Sequence, residues 1–452
     1  MAKEVKKRLD GLRPLLGAVF LAGYAVASFV PGALWATAVF LGAGTLLYAI
    51  SVPFASAFHK ALALAAFLAL GALVLSGRFD ARMLFDGLPT YFNIIAVLVV
   101  LSVAGYPIRA ARYTAQIRAL LAAMTRKGVG VRATSGFLGH MLGAVLDVGS
   151  FVLIDVILQR AAPKGRVEAL VWAGRGFSFA PLWTNLNVLT ATTITLTGVS
   201  YAGLLAASLP FVLTGLPIAL LLAQRERGEV EEAPDTPLDR GAVAVLLYPV
   251  LLVVAVALVN VLVPDLSLTA AIAITVASVV VLIAGLAAVL LRRSSPLRRF
   301  GGESREALVE SHSEFALFGS AGVLVLSLQA VGALAPVGEL FTALPETLVA
   351  PALAIVIGLG FVAGIHVVPL VLLLDTAFPL DSGPTPALWA MAILLGAQAA
   401  LLMTPFSNNV TMLARLTGLH PLEIGPKRNW RFSLIMALAA MAYLGLLTLL
   451  FF

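Results

Sequence analysis

The 452-residue chain is 60% hydrophobic and only 12% charged, with mean hydropathy +1.01; a soluble domain carries about a quarter charged residues. It has no Cys, which excludes disulfides, thiol catalysis and thiolate metal sites, and its five His argue against a polyhistidine metal centre. The net charge of +7 sits in loops between apolar runs of about 20 residues, so it reads as a signal for membrane orientation rather than for nucleic acid.

The N-terminal stretch from Lys3 to Arg13 is basic and leads into an apolar run. Ala25-Val26-Ala27 resembles a signal-peptidase site, but the run continues to Val30 and further spans follow. We therefore expect an uncleaved first helix with a cytoplasmic N-terminus, in a multi-pass protein of the inner (plasma) membrane. Spans are expected at 13–30, 32–50, 60–77 and 88–107. Between Arg109 and Arg132, Ile117, Leu120, Leu121 and Met124 recur at helical spacing among Arg112, Arg118, Arg126 and Lys127, which predicts an amphipathic helix on the membrane surface.

Segment 134–160 is long enough to cross, but crossing would put the basic loops at Arg160–Arg166, Arg225–Arg227 and Arg292–Arg299 outside. A re-entrant hairpin with its tip at Asp147-Val148-Gly149-Ser150 keeps all of them inside. Spans follow at 166–197, 202–223, 241–263, 268–291 and 314–334. The acidic, Pro-containing stretch Glu226–Asp235 reads as a solvated linker. Segment 348–378 predicts a second hairpin, with its tip near Gly364–Val368, because it keeps Arg415, Lys427, Arg428 and Arg431 inside. Spans 386–416 and 432–452 complete the chain. The expected fold is an all-α polytopic membrane protein with about 11 transmembrane helices and two re-entrant hairpins.

The two halves carry matching features. Asp147, Leu153-Ile154-Asp155, Phe179-Ala180-Pro181-Leu182-Trp183-Thr184-Asn185-Leu186-Asn187 and Leu196-Thr197-Gly198 stand in the first. Gly364-Ile365-His366, Leu373-Leu374-Asp375, Met403-Thr404-Pro405-Phe406-Ser407-Asn408-Asn409 and Leu416-Thr417-Gly418 stand in the second. Segments 166–197 and 386–416 would each be about 45 Å long as continuous helix, against a hydrocarbon core of about 30 Å. Their Pro-Asn clusters predict a break at mid-membrane. Helix-breaking polar sequence at corresponding places in two halves marks a transporter's binding site, because freed backbone groups cannot face lipid.

At these two clusters the chain resembles the ion transporter superfamily, and in architecture the divalent anion/sodium symporters. The resemblance implies an inverted repeat of hairpin plus broken helix, an elevator mechanism, and a homodimer. It is carried by Met403–Asn409 and by Phe179–Asn185. The tips depart from that family's Ser-Asn-Thr, so the resemblance implies the fold and not a dicarboxylate substrate. The implied organisation is a scaffold with a cytoplasmic surface helix (1–133), a first transport unit (134–224), a cytoplasmic linker (225–240), further scaffold with an outer surface helix (241–347) and a second transport unit (348–452).

Thr184, Asn185, Asn187, Ser407, Asn408 and Asn409, with Ser150 and Arg175, are the expected substrate ligands. Asp147, Gly149, Pro181, Thr404, Pro405 and His366 are the expected ion ligands. Neutral oxygens beside free carbonyls suit sodium, and half-helix N-termini suit an anion. Each has a plainer alternative. The Asn, Thr and Ser side chains cap the broken helices; Asp147 caps its hairpin arm; His366 is a packed His. Arg175 is a structural bridge to Asp147 or Asp155. Asp155, close to Arg160, reads as an interfacial ion pair. No nucleophile–base pair, phosphate loop or metal-ligand spacing appears, so no enzyme and no cofactor beyond sodium is expected. The function expected is secondary transport of a small organic anion coupled to sodium or protons. The alternatives are a cation/proton antiporter with Asp147 as the exchanging carboxylate, and an arsenite-type oxyanion exporter.

Overall fold

A computed structural model describes residues 2–30, 32–107, 114–225, 240–263, 266–290, 292, 295–377 and 385–451. The glutamate-rich linker at 226–239, Arg109, Arg112 and the stretch 378–384 lie outside the described residues.

The chain is an all-α polytopic membrane protein. Eight helices among the described residues are long and apolar enough to cross a bilayer. They are α1 (Ala2–Phe29), α2 (Leu34–Ser51), α3 (Ala57–Leu75), α4 (Ala81–Ala104), α10 (Tyr201–Arg225), α12 (Leu268–Leu290), α14 (His312–Ala330) and α20 (Arg428–Phe451). Between them lie α5 (Thr114–Arg126), α6 (Val131–Leu146), α7 (Gly149–Ala161), α8 (Arg166–Phe177), α9 (Val188–Thr197), α11 (Arg240–Leu262), α13 (Ser295–Glu310), α15 (Ala335–Thr342), α16 (Glu346–Val362), α17 (Val367–Ala377), α18 (Pro386–Leu401) and α19 (Asn408–Thr417). The interrupted pairs α8/α9 and α18/α19 each cover the length of one span, and α11 is a helix of 23 residues whose stretch Leu247–Leu262 is apolar.

The first segment read as a hairpin reverses, and the second is interrupted at its expected tip. α6 has 16 residues and α7 has 13, or about 24 Å and about 20 Å of helix, short of a core of about 30 Å. Only Asp147 and Val148 separate them, and the arms pack on each other. α16 and α17, of 17 and 11 residues, are likewise too short to cross singly. The four residues between them include Gly364 at φ +95°.

Chain contacts divide the molecule into two compact units. The first comprises Met1–Pro107, Leu258–Phe341 and Leu372–Phe378. Its core is aromatic: Phe20 packs tilted against Phe40 and edge-on against Phe92 and Phe315, at centroid distances of 4.8, 6.2 and 5.2 Å. α13 belongs to this unit and was invisible in the sequence, where its first half reads as a basic loop. Tyr106 anchors it, donating to the Pro296 carbonyl at 2.7 Å and packing on Phe300.

The second unit comprises Ile108–Ala257, Thr342–Val371 and Pro379–Phe452. Its core joins Leu138, Leu142, Phe151, Ile154, Leu170 and Phe177 to Val410 and Leu413, so the first hairpin and both broken helices share one apolar interior. α5 is helical, as its spacing predicts. However, Ile117, Leu120 and Leu121 are buried in that core instead of lying on lipid.

Within this unit the repeat has a strict register. α9 and α19 begin at 188 and 408, end at 197 and 417, and are closed by left-handed Gly198 and Gly418, an offset of 220 residues. The same offset relates Gly176 to Gly396. Gly176 and Gly396 each let the first half of a broken helix touch the first hairpin arm: a Cβ there would collide with the carbonyl of Gly136 or of Ala354. A glycine is needed wherever two backbones come this close.

Candidate functional site

All fourteen residues singled out in the sequence fall in the second unit. The two breaks are built alike at their ends. Thr184 Oγ1 accepts from the Leu186 amide at 3.2 Å, and Thr404 Oγ1 accepts from the Phe406 amide at 3.3 Å. Three residues after each Thr stands an N-cap. Asn187 Oδ1 accepts from the Leu189 amide at 3.0 Å, and Ser407 Oγ from the Val410 amide at 3.1 Å. A threonine turn followed by a cap is how a short polar side chain competes with the helical ladder and starts it again. Asn187 and Ser407 therefore have a structural task.

The prolines do not share this register. With Thr184 matched to Thr404, Pro181 lies three residues before its Thr while Pro405 lies one after. The pairing of the two Pro clusters suggested by the sequence is corrected accordingly. The first break runs over ten residues, 178–187, and holds a 3₁₀ turn at Ala180–Leu182; the second runs over six, 402–407. Pro181 has its carbonyl taken by the Thr190 hydroxyl.

At and beside the two breaks lie buried polar atoms with no hydrogen-bond partner among the described residues. Asn185 is fully buried; its Nδ2 donates to the Val253 carbonyl at 3.3 Å, and its Oδ1 has no partner. Asn409 is 6% exposed and its Oδ1 has no partner. Gln398, in the last turn of α18, is 4% exposed and neither Oε1 nor Nε2 is bonded. The hydroxyls of Thr192 and Thr193 on α9 are buried and unpartnered as well. α9 packs against α18, and α8 against α19. A buried, unbonded polar group costs about 1–3 kcal/mol; such atoms also occur away from the breaks, as at Thr275 and Ser433, and either water or a ligand satisfies them. Asn408, by contrast, is exposed.

The hairpin tips sit close to the breaks. Thr184 Oγ1 donates to the Ala144 carbonyl at 3.2 Å, one turn before Asp147. Gly364 lies against the ring of Phe406 in the second break, with a would-be Cβ 3.0 Å away. Asp147 is exposed and adopts φ 49°, ψ −138°, a conformation natural to glycine. Val148, the residue before α7, makes no side-chain cap bond, and the Val148 amide faces the Asp147 carboxylate. Ser150, fully buried, turns its hydroxyl to the Asp147 carbonyl at 2.7 Å, and Gly149 opens α7 with free space around it. His366 is half-buried in the second tip.

Arg175 has partners within the protein. Its Nε donates to Asn429 Oδ1 at 3.0 Å and its Nη2 to the Arg428 carbonyl at 2.9 Å. The guanidinium stacks on Trp172 at 4.3 Å. Asn429, fully buried, in turn donates to the Ile424 carbonyl. This ties α8 to the π-helical turn Glu423–Lys427, whose Gly425 approaches the Met403 carbonyl of the second break. Arg175→Ala is expected to destabilise the folded protein by about 2–4 kcal/mol, since it strands Asn429 and removes the stacked cation. Thermal unfolding in detergent measures this. Unchanged stability with substrate binding lost would place Arg175 in the site. Asp155 is gripped by Arg166 through two nitrogens at 2.5 and 3.0 Å, and Gln159 adds a third bond; the side chain of Arg160 lies outside those described.

Sequence reasoning missed Gln398, His140 and Asn429. A lone Gln or His in an apolar helix carries no spacing signal, and Asn429 lies beside basic residues that read as a loop.

No protein-family model matches the chain, and no curated protein matches it significantly. Among solved structures, the chain is similar to a crystal structure of the YdaH transporter of Alcanivorax borkumensis, described as having an unusual topology. The identity is 17% and the TM-score 0.49, over 86% of this chain and 98% of that one. A likeness of this degree assigns neither activity nor residues.

Proposed function

We propose that the protein is a secondary active transporter of a small organic anion, coupled to sodium or protons and working as an elevator. The observation that supports this reading is the set of buried, unsatisfied amide and hydroxyl groups at two breaks of one register: Asn185, Asn409, Gln398, Thr192 and Thr193. A resting protein gains nothing from such groups, whereas a passing ion or anion satisfies them. Oxygen acceptors such as Asn185 Oδ1 and Asn409 Oδ1 suit a cation of modest charge; the amide of Gln398 and the N-termini of α9 and α19 suit an anion.

In this reading the unit holding both breaks carries the substrate and the other unit is the scaffold, through which two copies pair in the bilayer. The N-terminus is cytoplasmic. A second reading, cation/proton antiport, draws on one observation: Asp147 is an exposed carboxylate held in a strained backbone.

The test is flux into proteoliposomes of a panel of carboxylates and oxyanions under imposed sodium or proton gradients. Uptake of a carboxylate driven by an inward sodium gradient is the expected result. Sodium–proton exchange without any anion flux would favour the antiporter.

A further inference from the structure

The two breaks share a register but not their fastenings. His140, on α6, is 5% exposed. Trp183 Nε1 donates to His140 Nε2 at 3.1 Å, with ring centroids 5.8 Å apart. An indole nitrogen can only donate, so the imidazole must be neutral with its proton on Nδ1. One turn further along the same face of α6, the Ala144 carbonyl accepts from Thr184 Oγ1. From the other direction Tyr201, the first residue of α10, donates its hydroxyl to the Trp183 carbonyl. Two helices thus hold two consecutive residues of the break by both side chain and backbone. Asn185, with its unsatisfied Oδ1, comes next in the chain.

Shifted by 220, the positions of His140, Trp183 and Tyr201 are Gly360, Met403 and Pro421. None of these side chains can make the corresponding bonds. The second break keeps its threonine turn, its Ser407 cap and the contact of Phe406 with Gly364, and among the described residues shows no such clamp.

We propose that His140 is a positioning residue: its Nε2 lone pair, acting through Trp183, fixes the first break as the rigid half of the site and leaves adaptation to the second. The link from a rigid break to substrate rests on the transport reading above; the clamp itself does not.

Amide hydrogen exchange over 183–187 and the emission of Trp183, isolated by comparison with Trp183→Phe, test the clamp without any transport assay. His140→Leu keeps bulk and loses the acceptor; His140→Gln keeps an acceptor. The Leu variant should exchange about tenfold faster at 183–187 and show altered Trp183 emission, with 403–407 unchanged. The Gln variant should restore both. Unchanged exchange in the Leu variant, or no restoration by Gln, overturns the proposal. If the Leu variant does not fold, slower exchange at 183–187 in His140→Gln than in Trp183→Phe supports the clamp, and equal exchange overturns it. Substrate affinity is expected to fall about tenfold in the Leu variant and recover in the Gln variant. Exchange that behaves as expected while affinity stays constant would leave the clamp standing and remove the first break from the binding site.

Discussion

Asn185→Ala, Asn409→Ala and Gln398→Leu should each lower ligand affinity about tenfold or more while leaving thermal stability equal or higher. The two effects have one cause. Asn409 Oδ1 and both polar atoms of Gln398 are buried without a partner, so the empty protein bears their desolvation cost. Replacing a group of this kind with an apolar one is nearly neutral or stabilising for folding. The bound state then loses its ligand contact, worth about 1–3 kcal/mol when the opposite partner is stranded. Asn185 differs in one respect, because its Nδ2 serves the Val253 carbonyl; its Ala variant should gain least in stability. Asn408→Ala serves as the internal control, since that side chain is exposed. Thermal unfolding in detergent and binding of the carboxylate panel, with and without sodium, give the two readouts. Near-normal affinity in all three variants would show that these groups meet only water.

How far the sequence revealed this arrangement depended on the range of the interactions involved. The spans were legible because each needs only a local run of apolar residues, and α1 to α4 fall close to the expected segments. The first hairpin was legible indirectly: nothing local distinguishes 131–161 from a crossing helix, and only the basic loops on either side argued for a reversal. The breaks were legible in place but not in register. Pro181 and Pro405 drew the eye as a pair, while the groups that match are Thr184 with Thr404 and Asn187 with Ser407. Register followed from the hydrogen-bonding turn rather than from the residue that breaks the helix. The partners of Arg175 were hidden for a different reason. A deep arginine has few partners available nearby in sequence, and its actual partners, Arg428 and Asn429, arrive from the far end of the chain. α13 was missed because a Pro and several Arg at its start mimic a loop, while Tyr106, which holds it, comes from α4's end.

Asp147 should separate coupling from stability in a single position. Its φ of 49° and ψ of −138° lie where a side chain is crowded; glycine occupies that region freely. Holding a non-glycine residue there costs about 1–3 kcal/mol, and strain of this kind tends to persist at functional sites. Asp147→Gly relieves it at the expense of a more flexible unfolded chain, so a net gain of about 1 kcal/mol is expected in thermal unfolding. Asp147→Asn keeps the strain and removes only the charge, so its stability should stay near the parent's. Both variants should lose ion coupling, because each lacks the carboxylate. If that carboxylate binds sodium, Asp147→Asn weakens the sodium dependence of flux and leaves some response to pH. If it carries the exchanged proton, the same change abolishes pH-driven flux altogether. The neutral Thr, Ser and Asn around both breaks resemble a sodium shell more than a proton relay, and sodium is the expected result. Wild-type flux that follows a proton gradient and ignores sodium would assign Asp147 to proton exchange. A glycine variant that gains stability and still couples normally would mean that the strained carboxylate at the tip serves neither ion.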